Sequence, residues 1–332
     1  MKRIVLTLAV AGLVSVSASA AEPFKIRIGW STTPAHVTTM LPEIPIEVYR
    51  HWGKSYVVEP VFMQGTGAML PALASEDAQL VGYSYQTHAS SIITGGLDVR
   101  AVGGVLGSKP PYSDEAFWVK KSSGIERIED LKGKTIAVNS RGSGVDTAQR
   151  KMLRNHGLQD GKDYQVVEVR FAAMLATLDA GKVDMAFMVL PFSLMAENNP
   201  ELKKLFTTRE AMGPTETAIW GAKANVIAAH RDAFVDFFED NIRARQWLYY
   251  PKNHAAVVKI VAKITKQPES AFEPWLFTER DTYRAKDCMI DVKLLQSNID
   301  DLVKEGLLPK TVDIAQYTDL TMVEEAKKRL GM

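Results

Sequence analysis

Residues 139–144, Asn-Ser-Arg-Gly-Ser-Gly, separate a short apolar strand pattern, Thr135–Val138, from a helical pattern that begins at Val145. A strand that runs through a Gly/Ser turn into a helix start presents unpartnered backbone N–H groups and the positive end of the helix dipole. That arrangement suits an anion. Ser140, Gly142 and Ser143 supply the N–H groups and hydroxyls of such a site. Arg141 is either an added positive charge or a solvent-facing side chain beside an ordinary N-cap turn. The stretch lacks the Lys-Ser/Thr ending of a P-loop and the spacing of a dinucleotide fingerprint, which disfavours a nucleotide.

Other groups stand at comparable positions. Arg170 directly follows the strand pattern Tyr164–Val169. Its guanidinium either pairs bidentately with a ligand carboxylate or sulfonate, or makes a surface or interlobe salt bridge. Trp30, Ser31 and Thr32 follow a first strand, and Tyr83, Ser84, Tyr85 and Gln86 follow a third. Hydroxyls beside aromatic rings fit a small organic acid with an apolar body; the alternative for Tyr83 is packing in the core. Gln64 and Thr66 belong to a second Gly-rich helix start, Met188 closes a later strand, and Trp220 lies on a stretch that reads as a return between lobes. The six histidines show no metal-ligand spacing, and no Ser/His/Asp nucleophile elbow occurs. The expectation is therefore no metal, no cofactor and no catalytic residue.

These groups need a frame to hold them. Phe24–Trp30, Tyr56–Phe62, Gln79–Tyr83 and Val99–Leu106 read as strands separated by helical patterns, and the same rhythm restarts after Pro110-Pro111. Strand–helix alternation predicts an α/β protein with doubly wound parallel sheets. A helical segment is expected up to about His51, and a long strand from Ala218 to Ala228. The tail is helical, with Phe234, Phe238 and Ile242 at i, i+4 and i+8, and Leu295, Ile299 and Leu302 at i, i+4 and i+7. It forms either a third element or a cover for the first lobe; the second is favoured, because an isolated tail leaves its apolar faces bare. Expected boundaries are a leader at 1–20, a first lobe of 21–113 plus 222–332, and a second lobe of 114–221.

The leader rests on Lys2 and Arg3, the apolar run Ile4–Val16 and the small residues Ala18-Ser19-Ala20. These are the parts of a cleaved secretory signal, with the mature chain expected to start at Ala21, or at Glu22 as the near alternative. No cysteine follows the cleavage site, so no lipid anchor is expected, and the product is read as soluble and periplasmic. Without Lys2 and Arg3 the chain has 38 basic and 39 acidic residues, a formal charge of −1. Near-neutrality without a basic block argues against nucleic acid. Cys288 is the only cysteine, which excludes an intramolecular disulfide and a Cys-based zinc site.

The signal, Lys25-Ile26-Arg27-Ile28-Gly29-Trp30, Ile128–Val138 with Gly142-Ser143, and Ala180-Gly181-Lys182-Val183-Asp184-Met185-Ala186 form a familiar series. It resembles the ABC-transporter periplasmic substrate-binding proteins of the nitrate, sulfonate and taurine type, and is similar to the thiamine-precursor binders. A second "Ala-Leu-x-x-Gly-x-x-Asp" element, common in the first lobe of that family, lacks its Gly here at Ala72–Gln79. The resemblance implies a type II periplasmic binding protein fold with two lobes and two hinge strands. It also implies a monomer that delivers a small ligand to a membrane permease and its ATPase. A sulfonate or aromatic carboxylate is expected, since the aromatic content suggests something larger than nitrate. The alternatives are an enzyme on the same fold, desulfinating or pyrimidine-synthesising, and a receptor for a membrane sensor.

Overall fold

The computed structural model describes residues 22–332. The expected signal at 1–20 and its cleavage site at Ala21 lie outside the described residues. Among the described residues no helix is long and apolar enough to cross a membrane.

Two five-stranded sheets carry the chain. The first contains β1 (Phe24–Trp30), β2 (Tyr56–Phe62), β3 (Leu80–Ser84), β4 (Val99–Ser108) and a strand that returns much later. The second contains β5 (Ala116–Lys120), β6 (Thr135–Val138), β7 (Gln165–Glu168), β8 (Met185–Met188) and β9 (Leu202–Thr207). The returning strand is β10 (Thr215–Lys223). The orders are β2-β1-β3-β10-β4 and β7-β6-β8-β5-β9. Each sheet therefore has the same plan. Three parallel strands are followed by one antiparallel strand, β10 or β5, which is the first to enter after the chain has crossed from the other sheet. Mixed sheets replace the all-parallel ones expected.

Helices cover the sheets: α1 (Thr66–Ala74), α2 (Tyr85–Ile93), α3 (Gly144–Asn155), α4 (Phe171–Asp179), α5 (Phe192–Glu197) and the short α6 (Thr208–Met212). The tail supplies α7 (Ala224–Ala229), α8 (Arg231–Tyr249), α9 (His254–Thr265), α10 (Val292–Lys304) and α11 (Thr321–Arg329). The tail packs on the first sheet. Phe234, Phe238 and Ile242 are fully buried with Ile26, Ile28 and Trp220, and Leu295, Ile299 and Leu302 close over Val81 and Tyr83 on the other face. β3 is buried along its whole length, as a strand covered on both faces must be.

Some elements differ from the sequence reading. Residues before His51 form three 3-10 turns, Val37–Thr39, Leu41–Glu43 and Ile46–Val48, because Pro42 and Pro45 stop an α-helix from propagating. β10 ends at Lys223, and the apolar residues 224–229 form α7; a short apolar run fits strand and helix alike. β9, with Lys203-Lys204 interrupting its apolar pattern, was not expected. Pairing puts all of Thr215–Lys223 in the first sheet, whereas the sequence boundary left 215–221 with the second lobe.

The crossings are residues 109–115, between β4 and β5, and 208–214, between β9 and β10. They are bonded to each other. The Asp114 carboxylate accepts from Thr208 Oγ1 at 2.9 Å and from the Arg209 amide at 3.2 Å. Arg209 Nη2 in turn donates to Tyr112 O at 3.1 Å.

Candidate functional site

A cavity of about 870 Å³, counting its open mouth, lies between the sheets at the carboxyl ends of their parallel strands. From the first sheet it takes Ser31, Thr32, Ala35 and His36 after β1, Thr66 at the start of α1, Ser84 at the end of β3, Tyr85 and Gln86 of α2, and Leu106–Ser108 of β4. From the second it takes Asn139 after β6, Ser143–Val145 and Ala148, Phe171 at the start of α4, and Phe187 and Val189 around the end of β8. The crossings add Ser113, Glu115, Thr208 and Met212, and β10 adds Thr215, Thr217 and Ala218.

Five helices, α1, α2, α3, α4 and the short α6, thus begin at this cavity. Ser84 and Ser143 are the N-caps of α2 and α3, each accepting an N–H of the first turn, from Thr87 at 3.3 Å and from Asp146 at 3.2 Å. The leading amides of the two helices, at Tyr85, Gln86, Gly144 and Val145, have no helical acceptor and belong to residues on the cavity wall. Beside them the Gln86 side chain is buried and its Oε1 has no partner; Gly144 packs against it. A buried carboxamide oxygen without a donor is costly.

Among the described residues the cavity wall contains no Lys and no Arg. Its two titratable side chains of interest are His36 and Glu115. Burial, helped by nearby Arg284, pushes the His36 imidazole down to about 4, so it is neutral. Burial, then the neighbouring Asp114 charge, pushes the Glu115 carboxyl up to about 8. Leu106, Phe171, Phe187, Val189 and Met212 give the space between these polar groups an apolar lining.

Of the residues singled out in the sequence, Ser31, Thr32, Thr66, Tyr85 and Ser143 meet at the cavity wall. Gln64, Ser140 and Gly142 lie where the lobes touch. Gln64 Nε2 is 3.5 Å from Asn139 O, Gly142 O accepts from Thr87 Oγ1 at 3.3 Å, and Ser140 is packed beneath Gly65. The Gly142 amide is already taken by Asp146 Oδ2 at 2.8 Å, so the turn fills its own anion site.

The rest lie elsewhere. Arg141 is exposed, its guanidinium 2.5 Å from Asp160 and its amide bonded to Glu168, a pairing made possible by β7 lying beside β6. Arg170 is exposed and lies over the Phe62 ring at 5.8 Å. Trp30 packs edge-on against the same ring. Three others miss the cavity, the first two through strand alternation and Trp220 through its place farther along β10 on the face it shares with Ala218. Tyr83 precedes cavity-lining Ser84 and points to the opposite face, where its hydroxyl meets His88 Nδ1 at 2.7 Å. Met188 lies between cavity-lining Phe187 and Val189 and is core of the second lobe. Trp220 is packed among Phe237, Phe238 and Arg245. Sequence reasoning missed Glu115, His36, Phe171 and Phe187; only the strand-end positions of Phe171 and Phe187 carried a signal.

Among the described residues no group of three or more His, Cys, Asp or Glu is placed to hold a metal ion. Cys288 is fully buried away from the cavity, and burial pushes its thiol up to about 11.

The NMT1/THI5-like family model matches residues 57–253, more than half of the chain, and the chain belongs to that family. No curated protein sequence matches it. The fold is similar to that of the alkanesulfonate-binding protein SsuA from Xanthomonas axonopodis pv. citri bound to MOPS, at TM-score 0.70 and 21% identity, covering 91% of this chain and 100% of that one. It is equally similar to the periplasmic nitrate-binding protein NrtA from Synechocystis PCC 6803, at TM-score 0.70 and 15% identity, covering 94% and 90%. The desulfurization enzyme DSZB shares the fold at TM-score 0.63 and 14% identity, covering 92% and 99%. The two-lobed architecture is that of the periplasmic binding proteins.

Proposed function

We propose that this member of the NMT1/THI5-like family is a non-catalytic periplasmic receptor that closes its lobes on a small organic anion and hands it to an ABC permease and its ATPase. One observation carries the reading: the N-termini of α1, α2 and α3 converge on one apolar-walled cavity that has no Lys or Arg in its wall. Helix-start amides and hydroxyls bind an acid group without a counter-charge. Leu106, Phe171, Phe187 and Met212 then cover an apolar body, which nitrate lacks. A sulfonate or an aromatic carboxylate meets both demands. The sulfonate and nitrate binders that share the fold support the class of function.

The enzyme reading draws no support from the cavity wall. It has no thiol, and Cys288 is buried and hard to ionise. Export is proposed from residues 1–20 and is checked by cell fractionation with N-terminal sequencing. For the ligand class, a thermal-shift screen of the mature protein against alkane- and arenesulfonates, arene carboxylates and pyrimidines is expected to single out acids, because a ligand bound to the native state raises the melting temperature. Stabilisation by neutral or cationic compounds alone overturns the reading.

A further inference from the structure

The cavity has two polar ends. Ser84 pairs with Ala218 on one side of β10, and Ser108 pairs with Thr215 on the other. Three residues of strand, roughly 10 Å, separate those levels. The helix starts of α2 and α3 gather at the Ser84 level. Ser108, Ser113, Glu115 and Thr215 gather at the other, where the chain crosses between lobes. Glu115 is thus an acidic side chain in the wall of a cavity that lacks any cationic one.

The charged groups around Glu115 are all committed elsewhere. Asp114 is bonded to Thr208 and Arg209, and Arg209 to Ser108 and Tyr112. Lys109 is held by Glu216, 2.6 Å away. Arg284 is spent on Asp281 and on the carbonyls of Pro34 and Ala35, and His36 is neutral. An ionised Glu115 would meet only the Arg284 guanidinium, already spent on Asp281, and would repel an anion bound in the same cavity. A neutral one is a donor.

We propose that Glu115 faces the cavity as a protonated carboxylic acid and donates a hydrogen bond to the end of the ligand remote from its anionic group, so that capture requires Glu115 to keep its proton. The ligand is then an organic acid with a hydrogen-bond acceptor at its far end. The inference rests on the organic-anion reading above and deepens it. The raised Glu115 titration accords with it.

Two measurements on the mature protein test it. In protein labelled with [δ-13C]glutamate, one carboxyl resonance is expected to titrate near pH 8 and to vanish in Glu115→Gln. Titration of every glutamate below pH 6 overturns the proposal whatever the ligand. In calorimetry with 3-hydroxypropane-1-sulfonate, an anion throughout the range, wild-type affinity is expected to fall by about tenfold per pH unit above pH 8, while Glu115→Gln binds with no such pH dependence. Affinity that rises with pH and is lost in Glu115→Gln also overturns it, pointing instead to a cationic ligand end. If neither this sulfonate nor any other organic acid binds either protein, the organic-anion reading fails and the donor role that rests on it fails with it, while the carboxyl resonance still reports whether Glu115 is protonated.

Discussion

Gly65 of the first lobe lies against Ser140 of the second so closely that a β-carbon on it would come within 2.3 Å of Ser140 Oγ and 2.6 Å of Asn139 Nδ2. Gly65 has an extended backbone that any residue adopts, so the constraint is purely the approach of the opposite lobe. Glycine here is a clearance for closure. Beside it, Gln64 reaches Asn139 and Gly67 faces the Arg141 carbonyl, so the two loops meet across the lobes.

Gly65→Ala is therefore expected to wedge the lobes apart without unfolding either. The melting temperature of the unliganded protein should change little. Ligand affinity should drop by tenfold or more, about 1.4 kcal/mol, and small-angle scattering should report a larger radius of gyration at saturating ligand than for wild type. An unchanged affinity would show that the lobes do not need this contact.

A second prediction concerns the far side of the same closure. Lys151 of α3 is paired with Asp301 of α10, and Arg154 Nη1 donates to Glu305 O at 2.9 Å. Lys151 is mostly buried, so Asp301→Asn leaves a covered charge with no partner. Affinity should fall several-fold, mainly through faster ligand release, and the exchanged pair Lys151→Asp with Asp301→Lys should recover part of it. Stopped-flow release rates measure this.

Gln86→Leu separates stability from binding. The carboxamide of Gln86 is buried and its Oε1 unpaired, so an apolar replacement of similar size should leave the melting temperature unchanged or raise it. Binding should weaken by one to two orders of magnitude. A fall in melting temperature with affinity intact would make Gln86 a structural residue.

How much of this was legible in the sequence depends on which physical level set each feature. Local chemistry was readable. Ser143 is the N-cap of α3, and the apolar spacings of the tail do cover the first sheet. Side-chain direction at strand ends was not. Tyr83 against Ser84, and Met188 against Phe187 and Val189, differ only in which face of a sheet they take, and that parity is fixed by pairing. For Arg141 the sequence left a ligand charge and a solvent-facing side chain both open, because its partner Asp160 is brought near only by the adjacency of β6 and β7. Glu115 carried no signal in the sequence, and becomes part of the cavity only because the crossings line it.

The placement of the two arginines is itself testable. Arg141→Ala and Arg170→Ala should leave affinity within about twofold of wild type, since both guanidinia lie outside the cavity wall and exposed ion pairs contribute little. Trp220→Ala, by contrast, should cost about 3–5 kcal/mol of stability through the void it leaves among Phe237, Phe238 and Arg245.

Acid should destabilise the protein through His36 and His88. Both imidazoles are pushed down from 6.5 to about 4 by burial. The unfolded chain takes up these protons below pH 6.5 and the folded chain only near pH 4, so stability is lost as the pH falls across that window. The expected loss is on the order of 3 kcal/mol per histidine by pH 4, and His36→Gln should show a shallower acid limb in urea unfolding midpoints.

The central claim is that the cavity between the two sheets captures an organic acid on the helix starts of α2 and α3. Calorimetric titration of the mature protein with alkanesulfonates and arene carboxylates, beside uncharged analogues of the same bodies, tests it most directly. The account predicts one-to-one binding of at least one acid, weakened by one to two orders of magnitude in Gln86→Leu, and none for its uncharged analogue. Equal binding of the uncharged analogue, or binding of amines with no response to any acid, would contradict it.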